Sequence, residues 1–140
     1  MKELVLFYSY SGNTKKIAEK FGQENNFEVC EILDEKRPGK LSAYTAGIVK
    51  VIKGGGRKIK PLIINGNAVR FEDYDAIDVF SPVWVGHITP SMVSALKLLP
   101  HGTKIKLYLI SASGQSAKDS MTKRLQDLGL EIADYKDIKS

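Results

Sequence analysis

The sequence predicts an α/β fold built on a parallel sheet. Short continuous apolar runs, the signature of strands buried on both faces, recur along the chain. Between them lie stretches with apolar residues at helical spacing, so strand and helix alternate throughout. The 140 residues show no internal repeat and no second region, which predicts one domain over 1–140, long enough to bury a core without disulfides.

Leu4 to Tyr8 is the first apolar run and reads as a strand. The hydroxyl-rich stretch "SYSGNT" follows it. From Thr14, the residues Ile17, Ala18 and Phe21 recur at helical spacing, leaving Lys15, Lys16, Glu19 and Lys20 for solvent. Phe27 to Leu33 reads as the second strand. Ser42 to about Lys53 reads as a helix capped by Ser42 and closed by Gly54, with Gly47 counting against it. The acidic residues Glu72, Asp73 and Asp75 form a turn into the third strand, Ala76 to Phe80, rather than a pair of catalytic carboxylates. The loop "SPVWVGHITP" then leads to a helix from about Ser91 to Leu99. Ile105 to Ile110 is the fourth strand, followed by "SASGQSA" and a helix ending near Gly129. Leu130 to Tyr135 is the fifth strand, and the chain closes soon after it.

The formal net charge is +5, but its distribution says more than its sum. Lys36 to Arg70 carries nine basic residues and no acidic one, leaving −4 on the rest of the chain. This segment is poor in aromatic residues, which argues against a nucleic-acid surface. Two readings stand open for it: a solvated connection, or a docking surface for an acidic protein or a phosphate-bearing ligand. The single cysteine, Cys30, reads as a small buried apolar side chain. Both histidines are isolated, so no metal site is expected. No run approaches the roughly 18 apolar residues of a membrane helix, and "MKELVLFYSY" lacks a signal-peptide pattern. These observations predict a cytoplasmic protein without a membrane partner.

Ligands of open α/β sheets bind at the carboxyl ends of the strands, so the loops there separate the chemical families. "SYSGNTKK" lacks the Gly-Lys-Ser/Thr ending of a nucleotide-triphosphate loop, and Gly12 alone does not make a dinucleotide fingerprint. A phosphoacceptor domain needs acidic residues where this chain has Ser9 and Tyr10, and an aspartate where it has Ser81 and Pro82. A cysteine phosphatase needs its nucleophile in such a loop, and Cys30 lies elsewhere. A phosphate monoester fits the first loop: Ser9, Ser11 and Thr14 offer hydroxyls, Gly12 allows a tight turn, and the amides of Gly12, Asn13 and Thr14 open a helix. The alternative is that Ser11 or Asn13 simply caps that helix. In the second loop, Pro82 and Gly86 shape the backbone while Trp84, the sole tryptophan, either offers a flat face to a planar ligand or closes the core.

Together the loops resemble the flavodoxin family. The resemblance rests on "YSYSGNT" as phosphate loop, "YDAIDVFSPVWVG" as third strand and flavin loop, and "LISASGQSA" as fourth strand and last cofactor loop. It implies a flavodoxin-like, doubly wound, five-stranded parallel sheet in the order 2-1-3-4-5, with FMN where strands 1 and 3 diverge. By resemblance, Ser9, Ser11, Gly12, Asn13 and Thr14 hold the phosphate, with Tyr10 in the same loop. Pro82, Val83, Trp84, Val85 and Gly86 flank the ring on one side, with His87 near it. Ser111, Ala112, Ser113, Gly114 and Gln115 flank it on the other.

The chain departs from that pattern in three respects. Its last cofactor loop has no aromatic residue, which implies stacking on one side only, by Trp84. Its basic segment implies acidic rather than basic redox partners. It also lacks the usual final helix, which predicts an exposed apolar face on the side of the first helix, buried against a second copy or another protein. Two functions follow: an electron carrier that docks with redox proteins, or an NAD(P)H-dependent quinone or azo reductase. The lack of a nicotinamide motif favours the carrier. A flavin-free scaffold is the third alternative.

Overall fold

The computed structural model describes residues 2–36, 39, 51 and 54–140. Its strands are β1 (Glu3–Phe7), β2 (Glu28–Glu31), β3 (Ile63–Ile64), β4 (Asn67–Ala68), β5 (Ala76–Pro82), β6 (Lys104–Ser111) and β7 (Glu131–Lys139). The helices among the described residues are α1 (Asn13–Asn25), α2 (Pro90–Leu96) and α3 (Lys118–Asp127). Five strands form one parallel sheet in the order β2-β1-β5-β6-β7. With the short β3–β4 hairpin set aside, this is the 2-1-3-4-5 order that the resemblance implies.

The apolar runs become the central strands because both of their faces are covered. All five residues of β1 are buried, and alternate side chains serve opposite cores. Leu4, Leu6, Ile77, Val79, Ile105 and Leu107 pack with Met92, Leu96, Met121 and Leu125 of α2 and α3. Val5, Phe7, Phe80 and Tyr108 pack with Ala18 and Phe21 of α1 on the other face.

Right-handed crossovers leave α1 as the single described helix on its face, and here one expectation needs correction. The uncovered part of that face is not apolar. It carries Lys106 and Lys136, and the Lys136 ammonium lies 5.9 Å from the ring centre of Tyr108. Tyr108 and Ile110, which also point to that side, are buried, and the exposed large apolar residues of the described chain lie elsewhere. Among the described residues, that face presents no large exposed apolar side chain for a second copy to bury.

Other boundaries shifted for local reasons. α2 starts at Pro90, because Thr89 Oγ1 accepts from the Met92 N–H at 3.3 Å and Pro90 occupies the first turn. β7 runs to Lys139, four residues beyond expectation, since β6 continues to pair with it as far as Ser111. Within the basic segment, β3 and β4 form an unanticipated hairpin. Asn65 and Gly66 both have positive φ, +51° and +79°, as a two-residue type I′ turn requires. The helix expected from Ser42 falls almost wholly outside the described residues; Val51 is helical, and Gly54 follows with φ +70°. Glu72 and Asp73 lie in a short 3₁₀ turn before β5, both paired with Arg70. Cys30 is buried, and burial pushes its thiol up to about 11.

Candidate functional site

The turn from β1 into α1 is made by Gly12, the residue before the helix, at φ +100° with open space where a side chain would begin. No side chain caps α1. Ser9 Oγ accepts the Gly12 N–H at 3.0 Å, while the Asn13 side-chain amide donates to Ser140 Oγ at 2.5 Å. Neither Ser11 nor Asn13 acts as the cap, so no side chain accepts from the first-turn N–H groups of this 13-residue helix. Ser11 is exposed, Ser9 half-buried and Thr14 buried.

The loop after β5 holds Trp84 by a tight reversal. Trp84 and His87 exchange backbone hydrogen bonds of 2.8 and 3.0 Å, and Val85 and Gly86 both sit at positive φ. The turn is fastened to the start of α3, where the Ala117 N–H donates to the Gly86 carbonyl at 2.8 Å. His87 strengthens the joint. Its Nδ1 lies 3.0 Å from the Val85 carbonyl, which can only accept, so Nδ1 carries the hydrogen there; Nε2 lies 2.9 Å from Ser120 Oγ. Both ring nitrogens are thus spent on the protein, and His87 acts as a clamp on the loop.

The indole is positioned by aromatic edges. Trp84 meets Tyr10 of the first loop at 5.8 Å and Tyr8 at 6.5 Å between ring centres, both nearly perpendicular. The third loop folds on itself through Gly114 N–H to Ser111 Oγ at 3.0 Å and Gln115 N–H to Ser113 Oγ at 3.2 Å. The Val83 N–H donates to Ile110, joining the second loop to the third strand-end, and the Ser140 N–H donates to Ser111. Ser140 therefore joins the first loop to the third. The three stretches that the sequence singled out meet at the carboxyl ends of β1, β5 and β6, with Ala112 and Ser113 exposed beside them.

A polar network beneath Trp84 was not anticipated. The Tyr8 hydroxyl donates to Asp34 Oδ2 at 2.6 Å, and the Ser91 hydroxyl donates to Asp34 Oδ1. Burial, then the hydrogen bond to Asp34, pushes the Tyr8 phenol well above its ordinary range. These residues come from the ends of β1 and β2 and from α2, separated by 26 and 57 positions. No local pattern could have linked them.

No family model matches the chain, and no curated protein sequence matches it. Solved structures do. A flavoprotein from Lactobacillus acidophilus NCFM, crystallised in complex with FMN, is 26% identical with a TM-score of 0.75, covering 96% of this chain and 91% of that one. A putative flavoprotein from Bacteroides eggerthii is 17% identical with a TM-score of 0.76, covering 96% and 86%. A flavodoxin from the domain Archaea is 17% identical with a TM-score of 0.53, covering 99% and 85%. With its strand order, its hydroxyl loop at the head of α1 and these neighbours, the chain has a flavodoxin-like fold.

Proposed function

We propose that this protein binds FMN and carries electrons between redox proteins in the cytoplasm. The observation that carries the reading is the uncapped head of α1 behind Gly12, placed beside Trp84 and the third loop. The residues fit the group. Unpartnered first-turn N–H groups and the positive end of a helix attract a phosphate. Ser9 keeps its hydroxyl hydrogen for a second bond after accepting from Gly12, since a hydroxyl both donates and accepts. Ser11 and Asn13 stand exposed at the same edge, and the indole of Trp84 supplies an apolar face for a planar ring. The FMN-bound Lactobacillus neighbour supports the same reading.

Bound FMN supplies the electron chemistry, one or two electrons at a time. The chain's own work is to hold the phosphate, seat the ring and set the local polarity. The groups at this site are hydroxyls, amides and aromatic rings, which bind and orient; the lack of a nicotinamide motif in the sequence favours a carrier over a reductase.

The test is a fluorescence titration of flavin-free protein with FMN and, in parallel, riboflavin. Trp84 is the sole tryptophan, so its emission reports on the second loop. Each charge-assisted hydrogen bond to phosphate is worth roughly 1.5–3 kcal/mol, so FMN should quench at concentrations at least about 100-fold lower than riboflavin. Equal affinities would sink the phosphate role, and no quenching by either would favour a flavin-free scaffold. Oxidation of NADPH by the loaded protein with a quinone would replace the carrier with a reductase.

A further inference from the structure

We propose that an open groove beside the end of α2 is the docking surface for an acidic redox protein. The inference rests on the electron-carrier reading and adds the partner's charge and its place of contact.

The groove, about 660 Å³, is lined by Arg57, Lys58, Lys60 and Lys97, with Pro61 and Leu98 between them. Three of the cations come from the basic segment. Lys97 comes from the C-terminal cap of α2, so the cluster is a product of the fold and not of one charged run. Elsewhere the protein neutralises many of its cations. Lys2 pairs with Glu28, Lys15 with Glu31, Lys20 with Glu24, Arg70 with Glu72, Lys106 with Glu3 and Lys136 with Asp134. None of the four groove cations forms an ion pair with a described residue. Such a field raises the capture rate of an oppositely charged protein.

Charge alone would suit any anion; the apolar surface narrows the choice. Leu98, in the same lining, is 59% exposed, and apolar surface bordered by charge is the make-up of a protein interface. No aromatic side chain lines the groove, which disfavours single-stranded nucleic acid. The surface is also held firmly. Ser94 Oγ accepts the Arg57 N–H at 2.8 Å and donates to the Arg57 carbonyl. Lys60 N–H donates to Leu33, and Glu35 N–H to Lys58. A pre-shaped surface avoids an ordering cost on binding.

Asp34 lies between the groove and the loop that carries Trp84. Asp34 bridges to Ile59 through its backbone, and its carboxylate accepts from Tyr8, whose ring borders Trp84. A protein seated there stands against the layer that supports the indole.

The test uses the whole protein and an oxidised, acidic [2Fe–2S] ferredoxin as the probe, with basic cytochrome c as the contrast. Binding is measured by calorimetry across a salt series from about 25 to 200 mM, a range over which screening rises steeply. A variant carrying Arg57→Gln, Lys58→Gln, Lys60→Gln and Lys97→Gln is compared with the parent, and Lys58→Gln with Lys60→Gln serves as a milder pair. We expect ferredoxin to bind the parent with an affinity that falls with salt. The fourfold variant should bind at least about tenfold more weakly while retaining parental FMN affinity. Equal ferredoxin binding by parent and variant overturns the proposal, as does tighter binding of cytochrome c or of a single-stranded oligonucleotide. Because the readout needs no flavin, it is repeated on flavin-free protein: failure of FMN to bind refutes the cofactor reading, and charge-independent ferredoxin binding refutes the docking surface.

Discussion

Val85 occupies φ +51° at the tip of the loop that carries Trp84, a conformation that β-branched residues rarely adopt. It is 52% exposed, so little packing offsets the strain of about 1 kcal/mol or more. Val85→Asn should therefore stabilise the protein, since asparagine tolerates this region. An increase of about 3 °C in the melting temperature is expected by calorimetry; an unchanged or lower value would show that Val85 is held by contacts that outweigh its backbone cost. At this scale the sequence was legible in part. The hydroxyls of Ser9 and Ser11 and the lone indole were visible as chemistry. That Asn13 reaches Ser140, and that His87 spends both nitrogens on Val85 and Ser120, was not. Those pairs are remote in the chain and close only in space.

Elements were more legible than contacts, because periodicity records burial directly. All five long strands and α1 were foreseeable from apolar runs, and the Thr89-Pro90 pair carries its own helix-start signal. The β3–β4 hairpin was missed although Asn65-Gly66 is a strong turn signal, because the strands it joins are two residues each and largely exposed. What periodicity could not report is how one element fastens another. Gly86 shows this: it sits at φ +79°, and a Cβ added there would lie 3.2 Å from the Ala117 Cβ at the head of α3. Gly86→Ala should cost about 1–3 kcal/mol, from left-handed strain and from pushing the loop off α3. Denaturant unfolding would measure that cost, and FMN affinity should fall together with a shift in Trp84 emission. Unaltered stability and emission would mean that the loop is not fastened through this contact.

The uncovered part of the α1 face shows how the whole molecule settles a single residue's chemistry. Asp78 is fully buried on β5, with Glu3 of β1 on one side and Lys106 and Tyr108 of β6 on the other; Asp134 and Lys136 of β7 lie beyond. Lys106 pairs with Glu3 at 3.0 Å, and Asp78 Oδ2 has no hydrogen-bond partner. An orphaned oxygen in that position is accounted for by a proton. Burial first, then the hydrogen bond and charge of Glu3, raise the Asp78 carboxyl to about 7, with Lys106 opposing. Because the folded value lies above the unfolded one of about 4, the stabilising contribution is complete below about pH 4. It is lost as pH rises through about 7. Asp78→Asn should remove that loss, so the variant should melt above the parent at pH 8 and the difference should shrink toward pH 4. A constant difference across this range would refute the assignment.

The sequence by itself determined the α/β class, the strand order once the resemblance was drawn, and which three loops stand together at the carboxyl ends of the strands. Burial on both faces leaves apolar runs, and turns demand particular residues, so both are written locally. Only the tertiary structure decided that Gly12, and no side chain, precedes the first turn of α1. Only it decided that the uncovered sheet face is charged instead of apolar, and that Lys97 joins the basic segment in one groove. These are facts about residues distant in sequence, and the free energy that brings them together belongs to the packed sheet as a whole.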